Sequence, residues 1–145
     1  MSVLIMLASS ACQPANSYQF ASDVQVSGDA ITAPLEGKSG DPDRGREIFS
    51  SRALGHCVLC HAIDGLDVDF QGDVGPALTN LGDRLTAEQI RMRIAGAQNI
   101  WPETVMPSYY RVDGLNRVGS EYKGKPALSA QQIEDLVAYL SSLKA

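Results

Sequence analysis

The sequence predicts an all-α domain of three to four main helices with an extended arm in front of it. Three observations carry this. The 145 residues have the apolar and charged fractions of one ordinary globular domain. Amphipathic stretches near the middle and end of the chain each open on a helix-start signal. Ahead of both, Cys57-Val58-Leu59-Cys60-His61 puts two thiols and an imidazole on one turn of backbone. The formal net charge of −5 argues against nucleic acid or an anionic membrane surface as a partner, because an acidic surface repels phosphate.

Residues 1–12 read as a signal segment. Val3 to Ala8 form an apolar run too short to span a bilayer, and Ser9-Ser10-Ala11 are the small residues expected before a cleavage site. A positively charged lead-in is missing. Cys12 after Ser-Ala loosely matches a lipoprotein signal, although Ser9 stands where that pattern prefers Leu. Lipid attachment at Cys12 and plain cleavage nearby both remain open, and both imply export to the periplasm. Only lipidation would bring the chain to a membrane.

Residues 13–40 lack a helical apolar period and are rich in Ser, Ala, Gly and Pro. They are expected to form an extended arm, either a tether or a strap that packs on a partner. The compact domain is expected over residues 41–145. Asp41-Pro42 is an N-cap followed by proline at the first helical position, so a helix should run from there to about Leu54. Gly45 and Phe49 lie one turn apart, a spacing that lets another helix cross closely. Thr86 or Asp83 caps a further helix to about Gln98, with Ile90, Ile94 and Ala97 inward. Ser129 and Gln132 form a capping box ahead of the stripe Ile133, Leu136, Val137, Leu140 and Leu143. This last helix should dock on the first. Residues 100–124 show no period and read as a long loop.

The pentapeptide is the attachment signature of c-type haem. Cys57 and Cys60 can each add to a vinyl group on one porphyrin edge, while His61 offers a nitrogen to the iron. Rival explanations are weaker. Zinc would need two more ligands, and the spare candidates are distant Cys12 and crowded His56. A redox dithiol would follow a strand in a βαβ pattern, which is absent here. A methionine opposite His61 would close the iron as an electron carrier, whereas an open position would give gas binding or catalysis. Met92 is offset from Ile90 and Ile94 and is expected at the surface or in shallow core. Met106 lies in the long loop and is stiffened by Pro107, which makes it the expected sixth ligand. Pro76 follows the motif at the distance at which cytochromes c set a carbonyl against the ligand histidine. Tyr109 and Arg111, with Trp101 and Tyr110, are weaker candidates for the haem propionates. Burying the porphyrin would contribute on the order of 10 kcal/mol gross, so the haem-free chain is expected to be largely unfolded.

Several runs together resemble one family. They are residues 37–46 (Gly-Lys-Ser-Gly-Asp-Pro-Asp-Arg-Gly-Arg), the haem motif, Val74-Gly75-Pro76-Ala77-Leu78, Thr104-Val105-Met106-Pro107-Ser108-Tyr109-Tyr110-Arg111, and the ending from Leu128 to Leu143. With these the chain resembles SoxX, the small monohaem subunit of the sulfur-oxidising SoxAX cytochrome, from Gly37 onward. The resemblance implies a class I cytochrome c fold and a periplasmic heterodimer with SoxA, whose own haem carries a modified cysteine ligand. In that complex thiosulfate is joined oxidatively to a cysteine of the SoxYZ carrier. The present chain would make no bonds itself; it would take electrons from the partner haem and pass them to a small soluble cytochrome c. The lipoprotein-like Cys12 is outside what the resemblance explains. A stand-alone periplasmic electron-transfer cytochrome c is the alternative, and an open catalytic haem a third.

Overall fold

Helix α1 (Pro42–Ser50) starts where the chain can give up an amide: Asp41 is extended, its carboxylate accepts the Arg44 N–H, and Pro42 takes the first helical position. In the computed structural model, which describes residues 18–145, α1 stops at Ser50, short of Leu54. Ser51 turns the chain out instead, because its Oγ accepts the amides of both Ala53 and Leu54 at 3.2 Å. Short α2 (Leu81–Arg84) was not foreseen; it follows Asn80 in a left-handed conformation. Helix α3 (Ala87–Ile100) and helix α4 (Ala130–Ser142) both open with full capping boxes, Thr86 with Gln89 and Ser129 with Gln132.

The terminal helices dock as the pattern requires. A Cβ at Gly45 would run into the Asp135 carbonyl and sit 2.7 Å from Tyr139 Cβ, so only glycine lets α1 and α4 approach this closely. One turn on, the rings of Phe49 and Tyr139 meet at 5.9 Å between centroids. Ile133, Leu136, Val137 and Leu140 are buried beside them. The Gly82 amide donates to the Leu143 carbonyl at 2.8 Å, which ties α2 to the end of α4.

The arm departs from expectation. Over the described residues it packs on its own domain. A small hairpin pairs β1 (Val26–Ser27) with β2 (Ala30–Ile31), Val26 opposite Ile31, around Gly28 at φ +59°. Strand β2 lies against α3, and Ile31 and Leu35 are buried. A buried ion pair holds this contact: Arg91 Nε and Nη2 donate to the two Glu134 oxygens at 2.7 and 2.9 Å. Arg91 also donates to the Ile31 carbonyl, and Glu134 accepts the Leu35 amide at 2.8 Å. Each member of the pair thus takes one further hydrogen bond from the arm.

Burying the far side of α3 changes the standing of Met92. It is 3% exposed and belongs to the core, because the arm covers the helix face that would otherwise be surface. Among the described residues no helix is long and apolar enough to cross a membrane. The signal segment and Cys12 lie outside the described residues.

Candidate haem site

His56, in the left-handed region at φ 57°, turns the chain into a single 3-10 turn, Cys57–Leu59. The His61 amide then closes on the Cys57 carbonyl at 2.9 Å, which brings both thiols and the imidazole to one side of the turn. Residues 72–78 wrap this turn through three backbone bonds: Gly72 to the Val58 carbonyl, Gly75 to that of Cys60, and Leu78 to that of Ala62, all at 2.8–2.9 Å. The wrap carries Pro76, whose carbonyl lies 2.7 Å from His61 Nδ1. A carbonyl can only accept, so this contact assigns the proton to Nδ1 and leaves Nε2 with its lone pair. A Cβ at Gly75 would overlap the His61 ring, so the close approach requires glycine.

Arg84 was missed in the sequence. Its Nη2 donates to the carbonyls of Ala77 at 3.1 Å and Thr79 at 3.3 Å, and so secures the turn that presents Pro76. A cation eight residues beyond Pro76 is its only trace in the sequence.

Cys57, Cys60, His61 and Pro76 form part of the wall of a cavity of ≈ 470 Å³. Met106 and Tyr109 contribute to the same wall, with Phe49 and Leu136 from the docked helices. The rest of the lining is mainly apolar, with His56 and Thr104 as further polar residues and two permanent cations, Arg84 and Arg93. Met106 is half-buried and stiffened by its own loop, its amide donating to Thr104 Oγ1 at 3.2 Å. Met92 does not line the cavity.

Two propionate candidates need correction. Arg111 lies outside the cavity lining, and its guanidinium is engaged by Gln98 Oε1 and the carbonyls of Asp113 and Gly114, all within 3.0 Å. Tyr109 does line the cavity, but its hydroxyl donates to the Gly55 carbonyl at 2.7 Å. Tyr110 turns away and bonds Glu36 and Ser22. Trp101 stands at the cavity rim, half exposed, with the Arg93 guanidinium 5.2 Å from its ring centroid.

The donor set suits an attached iron porphyrin. Burial pushes the Cys57 thiol up to about 12, which is the reverse of the lowered thiol a redox dithiol needs. No group of three or more His, Cys, Asp or Glu able to hold a bare metal ion occurs among the described residues. An apolar cavity with two thiols, one oriented imidazole, one thioether and a cationic fringe matches a flat apolar ring bearing carboxylates.

The cytochrome c family model matches residues 42–144. The chain belongs to the cytochrome c family. Accordingly it carries covalently bound haem c and is an electron-transfer domain. A chain in the crystal structure of SoxXA from P. pantotrophus is 41% identical, with a TM-score of 0.79, over 89% of this chain and 100% of that one. That likeness places this cytochrome c with the SoxX proteins. It is also 26% identical over 149 residues to a cytochrome c oxidase subunit 2 from Alkalihalophilus pseudofirmus. The alignment takes in 92% of this chain but only 37% of that relative's length.

Proposed function

We propose that this chain is the electron-accepting subunit of a periplasmic SoxAX-type cytochrome, which couples thiosulfate to a cysteine of a SoxYZ carrier. The observation that carries the proposal is the 41% identity across the whole of the SoxXA chain. In this reading Cys57 and Cys60 would hold the haem through thioether bonds, and His61 and Met106 would ligate its iron. When bound, the haem supplies a one-electron couple.

The remaining work falls to the protein. Pro76 accepts a hydrogen bond from Nδ1 of His61, which fixes the tautomer and leaves Nε2 free to ligate iron when haem is bound. Gly75 keeps the carbonyl close, and Arg84 holds the turn from behind. Pro107 restricts Met106 to extended geometry, so that the thioether is presented with little entropy to lose. Ligation by both residues would leave no position for substrate, so the chain would carry electrons without binding substrate. The chain receives them from the haem of a SoxA-type partner and passes them to a small soluble cytochrome c.

The test is reconstitution. The purified holoprotein alone is expected to show no thiosulfate-dependent activity and to restore it when mixed with a SoxA-type subunit and the SoxYZ carrier. Activity of the chain without a partner would refute the proposal. The likeness to a cytochrome c oxidase subunit favours one second reading, a stand-alone carrier serving a terminal oxidase. Turnover with an oxidase, together with failure to restore thiosulfate activity, would select it.

A further inference from the structure

Met106 sits in a loop with few holds of its own. Val105 is 82% exposed, and the loop's own hydrogen bonds are the Thr104 amide to the Trp101 carbonyl and the Met106 amide to Thr104 Oγ1. Just beyond Pro107 the chain changes character. Tyr109 and Tyr110 donate their amides to the carbonyls of Ile94 and Ala95, both at 3.1 Å. Those carbonyls immediately precede a break in α3, where Gly96 takes φ −155° and ψ 58°.

Residues 18–22 of the arm cover the same segment from its other side. Phe20 forms an antiparallel bridge with Arg111. The Ala21 amide donates to the Tyr110 carbonyl and the Val112 amide to the Gln19 carbonyl, each at 3.0 Å. Gln19 also donates its amide to Asp113 Oδ1 at 2.7 Å, and the Arg111 guanidinium lies 3.3 Å from the Tyr18 ring centroid. The Phe20 ring fills the notch left by Gly96: a Cβ there would come within 2.8 Å of Phe20 Cε1 and Cζ. Phe20 therefore plugs the helix break with its side chain, while the backbones of its neighbours Gln19 and Ala21 clamp the segment behind Met106.

We propose that Phe20 is a positioning residue for Met106, pressing residues 109–112 onto the break in α3 so that the thioether stays at the iron. The inference rests on the reading of Met106 as sixth ligand. Loosening the clamp lets the Met106 loop open locally while the rest of the fold stays closed. An opened loop exposes the iron to an added ligand, so the rate of imidazole binding to the oxidised holoprotein reads the opening directly.

The experiment compares full-length holoproteins of the natural sequence with Phe20→Ala, Phe20→Leu, Leu35→Ala and Met106→Ala. Leu35 is buried in the same arm, and its own amide anchors at Glu134 rather than on residues 109–112, so Leu35→Ala controls for a general loss of stability. Phe20→Ala is expected to bind imidazole about tenfold faster than both the natural protein and Leu35→Ala. Phe20→Leu, which retains an apolar plug, should fall between and serves alone if the alanine variant does not accumulate. Phe20 variants that bind at the natural rate, or no faster than Leu35→Ala, overturn the inference, provided Met106→Ala has lost the near-infrared sulfur-to-iron band. Persistence of that band in Met106→Ala overturns the ligand reading beneath it instead.

Discussion

His61 Nδ1 stands 2.7 Å from the carbonyl oxygen of Pro76, and Gly75 lies so close that a single added carbon would strike the imidazole ring. The two contacts constrain the ring together. One fixes which nitrogen carries the proton, and the other fixes where the ring plane can lie.

Gly75→Ala therefore forces His61 to tilt, and the bond to Pro76 is lost with it. The yield of low-spin holoprotein should fall about tenfold or more, the usual scale for disturbing a ligand's supporting shell. Absorption spectra of the purified protein, normalised to covalently bound haem, check this.

The buried Arg91–Glu134 pair should be far more costly to break than the half-exposed one between Arg44 and Asp135. Glu134→Ala leaves Arg91 buried without its partner and the Leu35 amide without an acceptor, at about 3–5 kcal/mol. Arg44→Ala, whose guanidinium is 53% exposed, should cost about 1 kcal/mol or less. Denaturant midpoints of the two holoprotein variants test the ranking.

Asp135 supplies a pH dependence. Burial raises its carboxyl, but hydrogen bonds from Arg44, the Asp41 amide and Gln131 outweigh burial and hold it below the ordinary 3.8. A lowered folded value stabilises above the unfolded one and is lost as pH falls through the folded one. Asp135→Asn should therefore destabilise the protein at neutral pH, and the gap from the natural protein should close in acid below 3.8. Thermal melts across that range measure the gap.

Removing the haem should leave the chain largely unfolded. Val74, Leu78, Leu85 and Val105 line the haem cavity and are only partly covered by protein, so this apolar surface would meet water without the haem. Circular dichroism of chain in which both Cys57 and Cys60 are replaced by serine should show little cooperative melting; a sharp transition would contradict the expectation.

What could be foreseen from residues alone was local. The caps at Asp41, Thr86 and Ser129 and the Gly45–Phe49 face announce themselves because each depends on neighbours three or four positions away. The packing of the arm does not, because it depends on pairs such as Leu35 with Glu134, remote in the chain, and a Glu on a helix otherwise reads as solvated. The same ignorance of the arm made Met92 look like surface. Arg111 beside a Met-Pro loop suggests a haem carboxylate, yet Gln98 and two carbonyls claim it first. The break at Gly96 interrupts a helix whose apolar period runs straight through it, so the notch that Phe20 fills exists only in the folded chain.

The account turns on a closed iron held by His61 and Met106, and the near-infrared spectrum of the oxidised holoprotein tests this most directly. The sulfur-to-iron band is expected in the natural protein and absent from Met106→Ala, which after reduction should bind carbon monoxide readily. A natural protein that lacks the band and itself binds carbon monoxide when reduced would contradict the account and make the iron an open site.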